Sequence, residues 1–411
     1  MAPPKSVRSI SQQAFDELVK ENIEDLGMDS TEALEDAIQT LTLQGVDLSG
    51  IVTSILDSGE ENPVMQSLEK LKELDRDCKQ GDGDETDVKE IIEWLDKLND
   101  ACHVDGSGNT AIATKNGAIE LVCSICGKLG SEGLVSALKT LVSLLHDLQS
   151  TEIFREINGP KMVMNILKNR KENISILNSG FAVVSAAATG NEVLKEAFMN
   201  LKIDELILQC LREFSRGSIP CVYDAVRVLL TSDDNRVVAS EVYGYARRFA
   251  KVGIVEALVD SLHDGIKAPS LVSASVALKA IAVNDEICRA VAENGGIDAI
   301  LRCIDDSSEQ GEKVVAITCC SLLSKLAGSD INKSAIVDKD GMNKLMKLAT
   351  RFSDDPAVLH EESEFFMYQS IFCHLGGVSS SQAISYAECP ITYSISTDFI
   401  CKYNIICNKM G

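Results

Sequence analysis

Apolar residues recur at helical spacing in most stretches of this chain that are long enough to show a period. In residues 10–26 the stripe is Ile10, Phe15, Leu18, Val19, Ile23 and Leu26, the pattern of an amphipathic helix. Asp29 with Glu32 three residues on has the spacing of a helix cap. Ala33, Leu34, Ala37, Ile38 and Leu41 then predict a second helix. Leu68, Leu71 and Leu74 predict a third, set between the polar stretches 57–63 and 79–87. Asp87 opens a fourth, carrying Ile91, Ile92, Leu95 and Leu98. That helix reads as the end of an incomplete first repeat.

Beyond residue 100 a short phrase returns. Gly117, Gly159, Gly253, Gly296 and Gly341 each stand in a short phrase with a polar residue one or two positions before, and each is followed four and five residues later by an apolar pair. A sixth copy has Lys202 in the glycine slot, with Leu206 and Ile207 following. Successive slots lie 42, 43, 51, 43 and 45 residues apart. A helical period of that size belongs to a solenoid of stacked repeats. Residues 284–327 show one unit. Asn284 caps a short helix, Asp285–Glu293, and Gly295-Gly296 bends the chain. A second helix covers Ile297–Cys303, Asp305-Asp306-Ser307-Ser308 is a polar loop, and a third helix covers Glu312–Ala327. The slot glycines are expected to adopt positive φ, which glycine does at little cost.

Short helix, glycine bend, medium helix and long helix, in that order, resemble the armadillo repeat family, whereas HEAT repeats have two helices and no such glycine phrase. The stretches Arg8–Asp16, Val19–Glu24 and Gln44–Ser49 resemble an N-terminal segment found ahead of the repeats in one branch of that family. Leu230–Val237, where the spacing lengthens to 51, resembles that branch's irregular repeat. The fold class expected is all-α: an armadillo-repeat right-handed superhelical solenoid with an N-terminal helical extension. The expected organisation is an N-terminal helical segment at 1–56 and an acidic linker with a short helix at 57–87. About six repeats follow at 88–362, the first incomplete and the third-to-fourth junction carrying an insertion. A tail at 363–411 completes the chain.

Charge narrows the function. The chain carries a formal net charge of −23, and its first hundred residues hold 25 acids against 9 bases. Phosphate backbones and anionic membranes are engaged by clustered Lys and Arg, so neither nucleic acid nor membrane is an expected partner. No run of 18 apolar residues is present, and Met1–Ile10 lacks the apolar stretch of a secretory signal. Fourteen cysteines fall at no framework spacing, as expected of reduced, mostly buried thiols in a cytoplasmic or nuclear protein that is not secreted.

No catalytic or metal motif emerges. His103, His146, His263, His360 and His374 form no pair at ligand spacing, and Cys123-Ser124-Ile125-Cys126 lacks the second pair that zinc requires. No cofactor, metal, small-molecule substrate or enzymatic activity is expected. A thiol-based redox role for Cys123 and Cys126 is the weakest of three readings. The resemblance implies a concave groove lined by third helices. Nuclear-import adaptors of the superfamily hold basic peptides there with a Trp/Asn ladder. Here the Trp slots hold Lys139, Ala182, Asp224, Val276 and Ser321, and the Asn slots hold Ser143, Ala186, Val228, Ala280 and Lys325. An importin-type adaptor is therefore the second reading. The first is a non-catalytic scaffold that binds partner proteins, with Lys139, Asp224, Arg227 and Lys325 as groove candidates.

The pattern stops near Ser363. Residues 364–411 contain three acids, two bases and four cysteines, with no sustained helical period. The tail is expected to be poorly ordered. Leu345, Met346 and Leu348 of the last copy are expected to expose apolar surface, because a solenoid needs a polar terminal face.

Overall fold

The computed structural model describes residues 8–48, 51, 62–77, 85–104, 108–214, 216–232, 239–355, 357, 358 and 360. The tail expected at 363–411 lies outside the described residues, as do the polar stretch 57–61, most of 79–87 and residues 233–238 of the irregular repeat. The chain divides into two compact units, Met1–Ile203 and Asp204–Gly411.

The first unit opens on a helical hairpin. Helix α1 (Gln12–Glu24) starts at Ser11, whose hydroxyl accepts the backbone N–H of Ala14 at 3.2 Å. Helix α2 (Ser30–Leu43) starts at Asp29, whose carboxylate accepts the N–H groups of Thr31 and Glu32, both at 2.9 Å. Each cap satisfies donors that have no partner inside the helix. Phe15, Ala37, Leu41 and Ile51 form the hairpin's core. Two-residue parallel strands, β1 (Arg8–Ser9) and β2 (Val46–Asp47), pair across its ends and are the only strands among the described residues.

Helices α3 (Pro63–Asp77) and α4 (Glu85–Cys102) pack together. Next come α5 (Asn109–Lys115), α6 (Ala118–Cys126) and α7 (Ser131–Leu144), then α8 (Leu148–Glu156), α9 (Gly159–Asn169) and α10 (Ile174–Ala188). Helix α3 rests on α6, α4 on α7, and α7 on α10. The short helix inside the 57–87 stretch is thus the second helix of the first repeat, and α4 is its third. The side of α3 carrying Gln66, Glu69, Lys70 and Glu73 is solvent-exposed, the polar outer face that a terminal repeat needs. Lys115 of α5 pairs with Asp47 at 2.5 Å and ties the hairpin to the repeats. Helix α11 (Glu192–Asn200) closes the unit.

The second unit continues the pattern with α12 (Ile203–Glu213) and α13 (Pro220–Leu230), then α14 (Ala239–Val252), α15 (Ile254–Asp260) and α16 (Leu271–Ile281). Helices α17 (Asp285–Glu293), α18 (Gly296–Gln310) and α19 (Lys313–Leu326) follow, and α20 (Asp330–Asp338) and α21 (Gly341–Arg351) end it. Helix α13 packs on α16 and α16 on α19, while α18 packs on α21. Where the slot spacing lengthens to 51, the first helix lengthens too: α14 has 14 residues against 9 in α8, α11, α17 and α20. First helices begin on capping side chains at Asp147, Asn191 and Asn284. The apolar pair after each slot is buried in every copy, save that Met346 is partly exposed.

Three local expectations are corrected. Gly117 and Gly253 do adopt positive φ, 82° and 98°, but Gly159, Gly296 and Gly341 do not. In those copies the residue before the slot takes the left-handed conformation: Asn158 at 59°, Gly295 at 83° and Asp340 at 62°. Lys202, in the slot without glycine, adopts 65°. The three glycines instead open a helix pressed against the one before it. A Cβ on Gly159 would lie 2.3 Å from the Phe154 ring; on Gly296, 2.7 Å from the Val291 carbonyl oxygen; on Gly341, 2.6 Å from that of Ile336.

The second correction concerns the loop expected at Asp305–Ser308. Helix α18 runs through it to Gln310 and ends at Gly311, φ 77°. Ser307 and Ser308 are buried, with the Ser307 hydroxyl donating to the carbonyl of Ile304 at 2.8 Å. Asp305 accepts from Lys344 at 2.9 Å and Lys347 at 2.8 Å, both on α21. These bonds hold the Asp305 carboxyl below its ordinary range. A depressed folded-state pKa stabilises above the unfolded value of about 4 and is lost as pH falls through the folded one. Asp305→Asn should therefore lower Tm slightly at pH 7, the pair being largely solvated. The gap from wild type should shrink below about pH 4; a thermal melt series across pH checks it. The expected exposure of Leu345 and Leu348 does not hold either, since both are fully buried in α21.

Candidate partner-binding face

The third helices α4, α7 and α10 in the first unit, and α13, α16 and α19 in the second, stand side by side within each unit. Each buries two flanks against its neighbours and leaves one stripe accessible. On α10 the stripe is Ser175, Asn178, Ala182 and Ala186, and the helix carries no charged residue. On α7 it is Val135, Lys139, Val142 and Ser143. The Ser143 hydroxyl donates to Asn99 Oδ1 of α4 at 2.7 Å, so the two stripes adjoin.

In the second unit the α13 stripe holds Cys221, Asp224, Arg227 and Thr231. The α16 stripe holds Val272, Val276, Lys279 and Ala280, and the α19 stripe holds Val314, Ile317, Ser321 and Lys325. The Lys279 ammonium bonds the Ser321 hydroxyl and joins these two stripes. Val314 is 63% exposed and adds apolar surface to this stripe.

All four sequence-derived candidates lie on these stripes. Lys139 and Lys325 are exposed and form no ion pair among the described residues. Asp224 and Arg227 are half-exposed and paired with each other, Arg227 Nη2 to Asp224 Oδ1 at 2.6 Å. Of the Asn-slot residues, Val228 is an exception: it is 4% exposed and faces the core. Lys279 was not among the candidates. It sits three residues beyond the Trp slot at Val276, as Arg227 does beyond Asp224, so extending the alignment by one turn would have found it. A depression of about 700 Å³ elsewhere in the second unit is lined by Phe214, Arg212, Arg216, Glu256, Asp260 and Asp264. Its arginines are already paired, Arg212 with Glu256 at 3.3 Å and Arg216 with Asp264 at 2.5 Å.

Cys123 and Cys126 lie on α6, a second helix away from this face. Cys126 is buried and its thiol is pushed well up; Cys123 is partly accessible, contrary to the expectation of burial, yet burial of its sulfur still pushes it up to about 12. Only the thiolate reacts, so native protein treated with a maleimide at pH 7.5 should leave both unmodified over minutes. Rapid labelling of Cys123 would contradict this. Among the described residues no group of three or more His, Cys, Asp or Glu side chains is placed to hold a metal ion. None of the described helices is long and apolar enough to cross a membrane.

Solved structures with this arrangement include designed armadillo repeat proteins. A designed armadillo repeat protein superposes with a TM-score of 0.51 at 16% identity, covering 61% of this chain and 99% of its own. A structure from work on the interaction between cadherin and β-catenin gives a TM-score of 0.54 at 16% identity, covering 85% of this chain and 60% of the other. The chain has an armadillo-repeat fold. The family model described as the armadillo repeat-containing protein 6 N-terminal domain matches residues 7–68, which span α1, α2, both strands and the start of α3. Human armadillo repeat-containing protein 6 is 23% identical over 373 residues, 86% of this chain and 72% of the relative. The homologue from Drosophila melanogaster is 25% identical over 342 residues, 80% and 70%. The chain therefore resembles armadillo repeat-containing protein 6 in both its N-terminal segment and its repeats.

Proposed function

We propose that this armadillo-repeat protein is a non-catalytic scaffold that holds partner proteins on its third-helix stripes. The observation that carries the reading is the adjoining of accessible stripes on packed, equivalent helices. Lys279 reaches Ser321, and Ser143 reaches Asn99. A partner segment crossing them meets side chains already fixed by packing, so little ordering of the scaffold is needed on binding. One superposing structure comes from work on the interaction between cadherin and β-catenin, which supports protein binding as the use of this architecture. An importin-type adaptor is disfavoured, because none of the ladder positions offers a Trp to stack on a lysine stem or an Asn to hold extended backbone. Cytoplasmic or nuclear residence follows from the same reading, since that is where reduced thiols persist.

Photo-crosslinking tests it. With p-benzoylphenylalanine at Val276 or Ala182, cell extract should yield discrete crosslinked proteins. The same probe at Lys161 on α9 or Glu256 on α15 should yield few. Crosslinks confined to Lys161 and Glu256 would reject the third-helix face.

A further inference from the structure

The third helices of the second unit differ in charge from the rest of the chain. Helices α13, α16 and α19 carry Arg227, Lys279, Lys313 and Lys325 against Asp224 alone, in a protein of net charge −23. Arg227 is neutralised by Asp224, and Lys313 by Asp355 at 2.6 Å. Lys279 has only a hydroxyl for a partner, and Lys325 has no ion pair among the described residues. Both ammonium groups sit on the accessible stripes, which also carry Val272, Val276, Val314 and Ile317. By contrast, α10 in the first unit has no charged residue at all.

We propose that this face, formed by α13, α16 and α19, takes an acidic extended segment of a partner protein, whose carboxylates pair with Lys279 and Lys325 and whose aliphatic side chains rest on Val276 and Val314. The inference rests on the scaffold reading and adds the chemistry of the partner. Unpaired ammonium groups on a half-apolar surface are strengthened by an opposite charge that also displaces water there. The chain as a whole is acidic, with a net charge of −23. Two ammonium groups on neighbouring helices, with no carboxylate partner among the described residues, therefore offer an acidic segment a local attraction that the net charge opposes elsewhere. A basic segment would meet like charge at Lys279 and Lys325, which penalises it.

Fluorescence polarisation with a labelled peptide of alternating Glu and Val decides the matter. The wild-type chain should bind it, and Lys279→Glu with Lys325→Glu should weaken binding at least tenfold. Lys279→Gln with Lys325→Gln should give a smaller loss in the same direction. Lys161→Glu with Lys171→Glu, exposed positions outside the stripes with the same change in net charge, should leave affinity within twofold. Failure of the wild type to bind the peptide would overturn the proposal, as would equal loss in the Lys161/Lys171 variant. Crosslinks at Val276 in extract alongside no peptide binding would remove the acidic assignment and leave the scaffold reading standing. Crosslinks confined to Lys161 and Glu256 would remove both.

Discussion

Arg248→Met is expected to destabilise the second unit by about 3 kcal/mol, the low end of what breaking a buried ion pair costs. Asp204 is the second residue of α12 and is 1% exposed. Its two carboxylate oxygens accept from Nε and Nη2 of Arg248 on α14, both at 2.6 Å. The fork clamps a second helix to the first helix of the following repeat, across the place where the slot spacing is longest. Arg248 is about one-third accessible, so water can relieve part of the loss. Once it is gone, however, the Asp204 charge stays in the core without a counter-ion. Asp204→Asn combined with Arg248→Met should cost less than the two single changes added together, because neither then leaves a buried charge. Urea denaturation measures both, and hydrogen exchange should place the weakening in residues 204–260. A single variant with wild-type stability would show that the fork is not a clamp.

Gly296→Val should have a comparable effect, about 3 kcal/mol, from forcing side-chain volume into packed backbone. The nearest atoms to a new Cβ are Val291 Cγ1 at 2.6 Å and the Val291 carbonyl oxygen at 2.7 Å. A carbonyl oxygen inside the preceding helix cannot rotate away, so α17 and α18 must separate. Gly117→Ala provides the contrast. Its φ of 82° is left-handed, but the space around it is open, the nearest atom being Glu120 Oε2 at 3.9 Å. There the cost is conformational only, about 1 kcal/mol. Gly296→Ala should already cost more than Gly117→Ala, although only Gly117 has an unusual backbone. Equal losses at the two sites would mean that close helix approach is not what glycine provides at position 296.

Much of this architecture was legible in the residues alone. Helical spacing of apolar side chains located α1, α2, α4, α17 and α19, because burying one stripe of a helix demands that spacing whatever it packs against. The repeat period was legible for a related reason. Equivalent helices face equivalent neighbours, so the buried pair after each slot had to recur. The candidates Lys139, Asp224, Arg227 and Lys325 could be placed on third helices by that same register.

What the period could not carry was anything set by a neighbour distant in sequence. The polar run Asp305–Ser308 reads as a loop, yet it is helix, because Lys344 and Lys347 reach Asp305 from α21 and the serines turn into the core. Which glycine bends and which makes room was likewise decided by Phe154, Val291 and Ile336 pressing from the preceding helix. The same holds for the charge pattern on the face. Whether a lysine is neutralised depends on carboxylates far away in sequence: Asp355 answers Lys313, and no described carboxylate answers Lys279. Spacing along the chain records which side of a helix is buried, but only the packed structure determines what that side, and the opposite one, meets.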